Sequence, residues 1–216
     1  MEASLHVGAS LTIGEYILPE LLGKFMKKHP NIKFNLSLGN TNDMLSKLKH
    51  NEIDIALVEG ILERDKEDGE LTVEKFAEDQ LILITPVDCK WKNRDDINLE
   101  ELKDEKLIWR EASSGTRITV ENHLKDYDFF QDIHVFMELG SMQSIKGSVE
   151  AGLGISIMPK LTVKKELSFG ILHQVKIRDF YLKRELYLVQ KKKRFRKVGL
   201  SSFAKFIRTN PIIHDL

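Results

Sequence analysis

Residues 5–38, LHVGASLTIGEYILPELLGKFMKKHPNIKFNLSL, change their hydrophobic period twice within one stretch. Leu5, Val7 and Ala9 recur at every second position, the period of a half-buried strand over residues 4–9. From Leu18 the apolar positions become Leu21, Leu22, Phe25 and Met26, which predicts a helix over 15–28 with one buried face. Pro19 is tolerable because it falls in the first turn, and His29-Pro30-Asn31 ends the helix. Ile32, Phe34, Leu36 and Leu38 then alternate with polar residues as a second strand.

The same alternation continues outward. Thr41 or Asn42 can cap a short helix carrying Met44, Leu45 and Leu48, and Ile53 to Val58 is a third strand. A β-α-β-α-β series of this kind predicts an α/β fold with a mostly parallel sheet and right-handed crossovers. Residues 63–70 form a charged, solvated loop, and Leu81 to Ile84 is a buried strand bounded by Thr85-Pro86. A second block follows: strand Leu107 to Trp109, helix Thr116 to Lys125, strand His134 to Leu139, and helix Ser141 to Ala151 ended by Gly152. Gly154 to Met158, 171–177 and 185–190 are further strands, Pro159 starts a short helix, and Leu200, Phe203, Phe206 and Ile207 mark an amphipathic terminal helix.

Two α/β blocks in series, with no low-complexity linker, predict two lobes. A chain that enters the second lobe once and returns near its end crosses twice, and Thr85-Pro86-Val87 and residues 183–187 suit those crossings. The expected division is 1–85 with 187–216 for the first lobe and 86–186 for the second. Each would hold a mostly parallel sheet flanked by helices, with the ligand in the cleft between the lobes.

Composition narrows the function. Lys plus Arg equals Asp plus Glu at 33 each, so the basic excess of a nucleic-acid-binding module is missing. One cysteine, Cys89, excludes a disulfide framework and predicts a free thiol in a reducing compartment. No export signal and no run of roughly 20 apolar residues is present, so the expectation is a soluble, cytoplasmic chain without membrane contact. The seven histidines are dispersed without HxxxH or HExxH spacing, and no phosphate-binding glycine loop occurs. No catalytic set, metal site or cofactor is expected.

Three strand-to-helix junctions carry small hydroxyl residues: Ser10-Leu11-Thr12, Ser113-Ser114-Gly115-Thr116 and Gly140-Ser141-Met142. Unpaired amides and the positive dipole end make a helix start an anion site, whereas serine and threonine are also ordinary caps. Both readings stand at any one junction, and three junctions in two blocks favour a shared anion site. Arg117 binds that anion or braces a loop. Glu59, at the end of the third strand, either pairs with Arg110 or Arg117 or meets an amine on the ligand. The basic run KKKRFRK at 191–197 is a solvated strand end or a nucleic-acid contact.

With these segments in order, the chain resembles the effector-binding domain of LysR-type transcriptional regulators over nearly its whole length. The resemblance rests on LHVGASLTIGEYILPELLGKFMKKHP, NEIDIALVEG, WREASSGTR and ELGSMQSIKGSVEAGLGISIMP. It implies a two-lobed, type II periplasmic-binding-protein-like fold that binds a small effector in its cleft and switches transcription. It also implies first-lobe contacts from Ser10, Leu11 and Thr12, second-lobe contacts from Ser113, Ser114, Gly115, Thr116 and Arg117, and a floor of Gly140, Ser141 and Met142. The SGTR turn is similar to that of members sensing small anions in sulfur, nitrogen or carbon metabolism. The resemblance further implies an antiparallel homodimer using helix 15–28 and strand 32–38. Family members begin with a winged helix-turn-helix that this chain lacks, so it reads as an excised sensor domain whose DNA contact lies elsewhere. A solute-binding protein of the same fold, for a small anion or amino acid, is the alternative. A small enzyme with Glu59 as its acid or base, or a dimerisation module, fits the junctions less well.

Overall fold

The computed structural model describes residues 3–60, 69–192 and 199–210. The chain forms two compact units, Met1–Glu78 with Glu185–Leu216, and Asp79–Arg184. Residues 63–68 of the charged loop and 193–197 of the basic run lie outside the described residues.

Unit 1 is built on β1 (Ala3–Ser10), which runs parallel to β2 (Ile32–Gly39) on one side and to β3 (Ile55–Glu59) on the other. Leu5, Val7 and Ala9 of β1 are fully buried, as their alternation predicts. The helix expected over 15–28 is two helices, α1 (Leu11–Tyr16) and α2 (Leu18–Lys28), separated at Ile17. Pro19 is the reason: it has no N–H to give to residue 15, and its ring would press on that carbonyl. The first helix therefore starts directly at the end of β1, which matters for the site. α2 buries Leu18, Leu21, Leu22 and Phe25.

α3 (Thr41–Lys49) is capped by Asn40, whose side chain accepts from the Asp43 amide, and not by Thr41 or Asn42. Thr41 is otherwise engaged, donating its hydroxyl to the Glu59 carbonyl at 2.6 Å. The terminal helix α7 (Leu200–Thr209) belongs to unit 1, where Phe203 meets Phe25 edge-on with ring centres 5.1 Å apart. Gly199 opens that helix at φ +90, and a Cβ there would lie 2.6 Å from Ile32 Cδ1, so no other residue fits without displacement.

β4 (Leu71–Pro86) is longer than the apolar run foresees and continues through the boundary between Glu78 and Asp79. In unit 2 it runs antiparallel to β8 (Ser156–Pro159) and to β9 (Leu172–Ile177). The short strand β5 (Asp96–Ile97) pairs in parallel with β9. A separate two-stranded parallel sheet joins β6 (Leu107–Arg110) to β7 (Val135–Leu139). The helices are α4 (Gly115–Asp126), α5 (Met142–Glu150) and the short α6 (Lys164–Ser168). Their core gathers Leu81, Leu83, Trp91, Trp109, Val120 and Leu124. The chain leaves unit 2 along β10 (Leu182–Lys191), whose residues 186–189 pair antiparallel with β3.

The boundaries fall at Glu78–Asp79 and Arg184–Glu185, against 85/86 and 186/187 as expected from the sequence. Both lie inside continuous strands, so neither a turn nor a proline marks them.

Candidate functional site

Parallel strands followed by helices bring helix starts to one edge of their sheet. In unit 2, β6 and β7 are in register with Arg110 opposite Leu139, so α4 and α5 both begin at the carboxyl edge of that pair. In unit 1, Ser10 closes β1 opposite Gly39 of β2. Helices α1 and α3 start there, beside the end of β3 at Glu59.

The first junction uses its hydroxyls in an unexpected way. Ser10 occupies the N-cap of α1 but makes no side-chain cap bond. It donates instead to the carboxyl of Glu59, which is buried. Leu11 is half-buried. Thr12, the second residue of α1, is 1% exposed, and its hydroxyl has no partner among the described residues.

The second junction divides the two readings between neighbours. Ser113 is exposed, and Ser114 is a buried cap that accepts from the Arg117 amide at 3.4 Å. Gly115 opens α4 and is half-buried. Thr116, again the second residue of its helix, is 2% exposed and accepts a hydrogen bond from Arg184 Nη1 at 2.9 Å. That bond uses an oxygen lone pair, and no acceptor for the Thr116 proton is found among the described residues.

Arg117 is a brace. Its Nε donates to Glu121 at 2.6 Å, and its Nη1 donates to the Arg110 carbonyl at 3.0 Å and to Glu138 at 2.5 Å. Burial alone would lower its pKa, but hydrogen bonds to Glu121 and Glu138 outweigh that and the net direction is upward. Arg110 gives Nε and Nη2 to Glu111, each at 2.8 Å. Both arginines thus bond to carboxyls of their own unit. At the third junction Gly140 and Ser141 are exposed, Ser141 caps α5 by accepting from the Ser144 amide at 3.4 Å, and Met142 is buried.

Two residues escape the sequence reading. Arg184 and Asp79 form an ion pair with side chains 1% and 0% exposed, Nη2 to Oδ2 at 2.8 Å. The signal was present, because Leu182, Arg184, Leu186 and Leu188 alternate with their neighbours and place a guanidinium in the inward register. Asp79 stands likewise between Ala77 and Leu81. A cavity of about 670 Å³ also lies in unit 2, lined in part by Gln80, Ile82, Lys160, Gln174 and Tyr181, and none of the residues predicted for the site faces it. Among the described residues no group of three or more His, Cys, Asp or Glu could hold a metal, and no helix is long and apolar enough to cross a membrane.

Two α/β units joined through two strands, with hydroxyl-bearing helix starts at their sheet edges, define a ligand-binding domain. The family model for the LysR substrate binding domain matches residues 1–211, and the chain belongs to that family. It is the effector-binding domain of a LysR-type transcriptional regulator. It is 33% identical over 202 residues to a probable RuBisCO transcriptional regulator of Chlorokybus atmophyticus, covering 93% of this chain and 64% of that protein. The regulator CysL of Bacillus subtilis is 31% identical over 186 residues, 86% of this chain and 60% of CysL. This chain thus spans less than two thirds of either relative. Among solved structures, the CcmR regulatory domain of Synechocystis PCC6803 in complex with 2-PG superposes with a TM-score of 0.85 at 27% identity, covering 99% of this chain and 98% of that one. The effector-binding domain of QuiR in complex with shikimate shares the fold, with a TM-score of 0.84 at 20% identity, over 100% of this chain and 99% of that one. The relatives are named as regulators, which sets the solute-binding alternative aside.

Proposed function

We propose that the domain senses a small anionic metabolite, held by hydroxyls and helix-start amides, and performs no chemistry on it. The supporting observation is the matched pair Thr12 and Thr116. Each is the second residue of a helix that leaves a strand end, each is buried, and each keeps a hydroxyl proton for which the described residues supply no acceptor. Several such donors hold an anion with little formal positive charge. Ser10, Leu11 and Thr12 in unit 1 and Ser113, Ser114, Gly115 and Thr116 in unit 2 supply these groups. Gly140, Ser141 and Met142 add a second helix start at the same sheet edge. Arg117 and Glu59 shape these turns.

The CcmR regulatory domain is described with 2-phosphoglycolate and several relatives are named RuBisCO regulators, so a short phosphorylated or plain carboxylate is the first class to test. In the full-length regulator a helix-turn-helix outside these residues would carry DNA binding, in the cytoplasm and without membrane contact. A second copy would cover β2, the edge strand whose Leu36 and Leu38 are exposed, together with exposed Met26 of α2.

Calorimetric titration of the chain with 2-phosphoglycolate, glycolate and sulfate tests the reading. Thr12→Val is expected to weaken binding about tenfold while the melting temperature holds, because the lost donor had no protein partner to abandon. Unchanged affinity in that variant, or turnover of the anion, refutes the proposal.

A further inference from the structure

We infer that Arg184 is a positioning residue of the anion site, acting through the hydroxyl of Thr116 and not by touching the ligand. The inference rests on the reading of the α4 start as an anion site. Arg184 is inaccessible, and its Nη1 donates to Thr116 Oγ1 at 2.9 Å while its Nε and Nη2 donate to Asp79 Oδ2 at 3.2 and 2.8 Å.

A threonine hydroxyl is a rotor that can point its proton at any acceptor in reach. Donation from a guanidinium into its lone pair removes that freedom, because the proton must then point away from the cation. It also draws electron density from the O–H bond, making the hydroxyl a stronger donor. The arrangement runs from anion to Thr116 to Arg184 to Asp79, with the positive charge one bond removed from the ligand. Preorganisation of this kind lowers the cost of ordering the site when it fills. It explains how a turn whose visible arginine, Arg117, is spent on Glu121 and Glu138 still presents a cation to an anion.

The pair has a second consequence. Asp79 and Arg184 are the first and last residues of unit 2. An anion that draws on Thr116 therefore acts on the two residues at which the chain enters and leaves that unit.

Removing Arg184 alone takes two donors from a buried carboxyl, so the test replaces the pair together by apolar residues of similar size, Asp79→Leu with Arg184→Met. Binding of 2-phosphoglycolate and of sulfate is measured for the unaltered chain, Thr116→Val, the paired replacement and the triple variant. Thr116→Val is expected to bind about tenfold more weakly and the pair at least about threefold more weakly. The triple variant is expected to match Thr116→Val, because on this inference the pair acts on the ligand through that hydroxyl. Should the apolar pair fail to fold, Arg184→Lys, which keeps both charges but loses the fork, supplies the same comparison with and without Thr116→Val. A pair or lysine variant with unaltered affinity, or losses that multiply in the combined variant, overturns the role of Arg184 while leaving the anion site standing. If Thr116→Val itself binds normally, or neither probe binds the unaltered chain, the anion reading falls and this inference with it.

Discussion

Ser10-Leu11-Thr12 and Ser114-Gly115-Thr116 occupy the same place in two different units: a strand ends, a serine takes the N-cap, and a threonine stands second in the helix. Their surroundings are opposite. The first serine gives its proton to the Glu59 carboxyl and leaves the helix uncapped, while the second accepts an amide and caps. The first threonine has no partner among the described residues, and the second is held by a buried guanidinium. Cap propensity explains why serine is found at both positions, but a buried charged side chain decides what the Ser10 and Thr116 hydroxyls do.

The largest effect available on this contrast is in unit 2. Asp79→Ala removes a buried carboxylate that accepts two hydrogen bonds from the buried Arg184 guanidinium, and a loss of about 3–5 kcal/mol is expected in urea unfolding. A variant as stable as the original would mean that the second junction is not organised by a paired cation, and the contrast would collapse.

Much of this was readable from the residues, and the exceptions have identifiable causes. Alternation in Leu5, Val7 and Ala9 and the 3.6 period of Leu21, Leu22 and Phe25 announced β1 and α2, because apolar burial on one face is a local pattern. The first half of β4 was silent, since Glu74, Lys75 and Glu78 interrupt the apolar pattern. Two of them have partners remote in sequence, Arg208 for Glu74 and Glu185 for Lys75. The hydroxyl junctions were legible as a set, but their division of labour was not. Ser10 is claimed by Glu59 and Thr116 by Arg184, residues 49 and 68 positions away, and no window of sequence places those beside the helix starts.

An intermediate effect sharpens the contrast. Ser114→Ala removes a cap and should cost about 1 kcal/mol. Ser10→Ala removes no cap but deprives a buried carboxyl of a donor, for which about 2 kcal/mol is expected. Thermal unfolding of both variants in one buffer orders them, and the reverse order would show that Ser10 acts as a cap after all.

The smallest effect supplies a background from an exposed pair. Hydrogen bonds from Arg94, then from the Asn98 amide, hold Glu101 down from its ordinary 4.5 to about 2. A carboxyl with a depressed folded pKa contributes its stability fully above pH 4.5 and loses it as the pH falls towards 2. Because the pair is exposed, only a slight decline in melting temperature across that window is expected, and Arg94→Met should remove it. A steep decline that persists in Arg94→Met would show that this pair is not its source.

The sequence holds two tryptophans, Trp91 and Trp109, and both are buried in unit 2. Indole emission is thus a built-in reporter for one half of the molecule, whereas far-ultraviolet dichroism weighs helices from both. Melting curves recorded by the two signals will coincide if the units unfold as one and separate if they do not. Trp109 also donates its Nε1 proton to Glu121, the carboxylate that holds Arg117, so the colour of its emission is wired to the turn before α4. A spectral shift on adding an anion would provide a label-free titration of that turn, with no dye and no engineered probe.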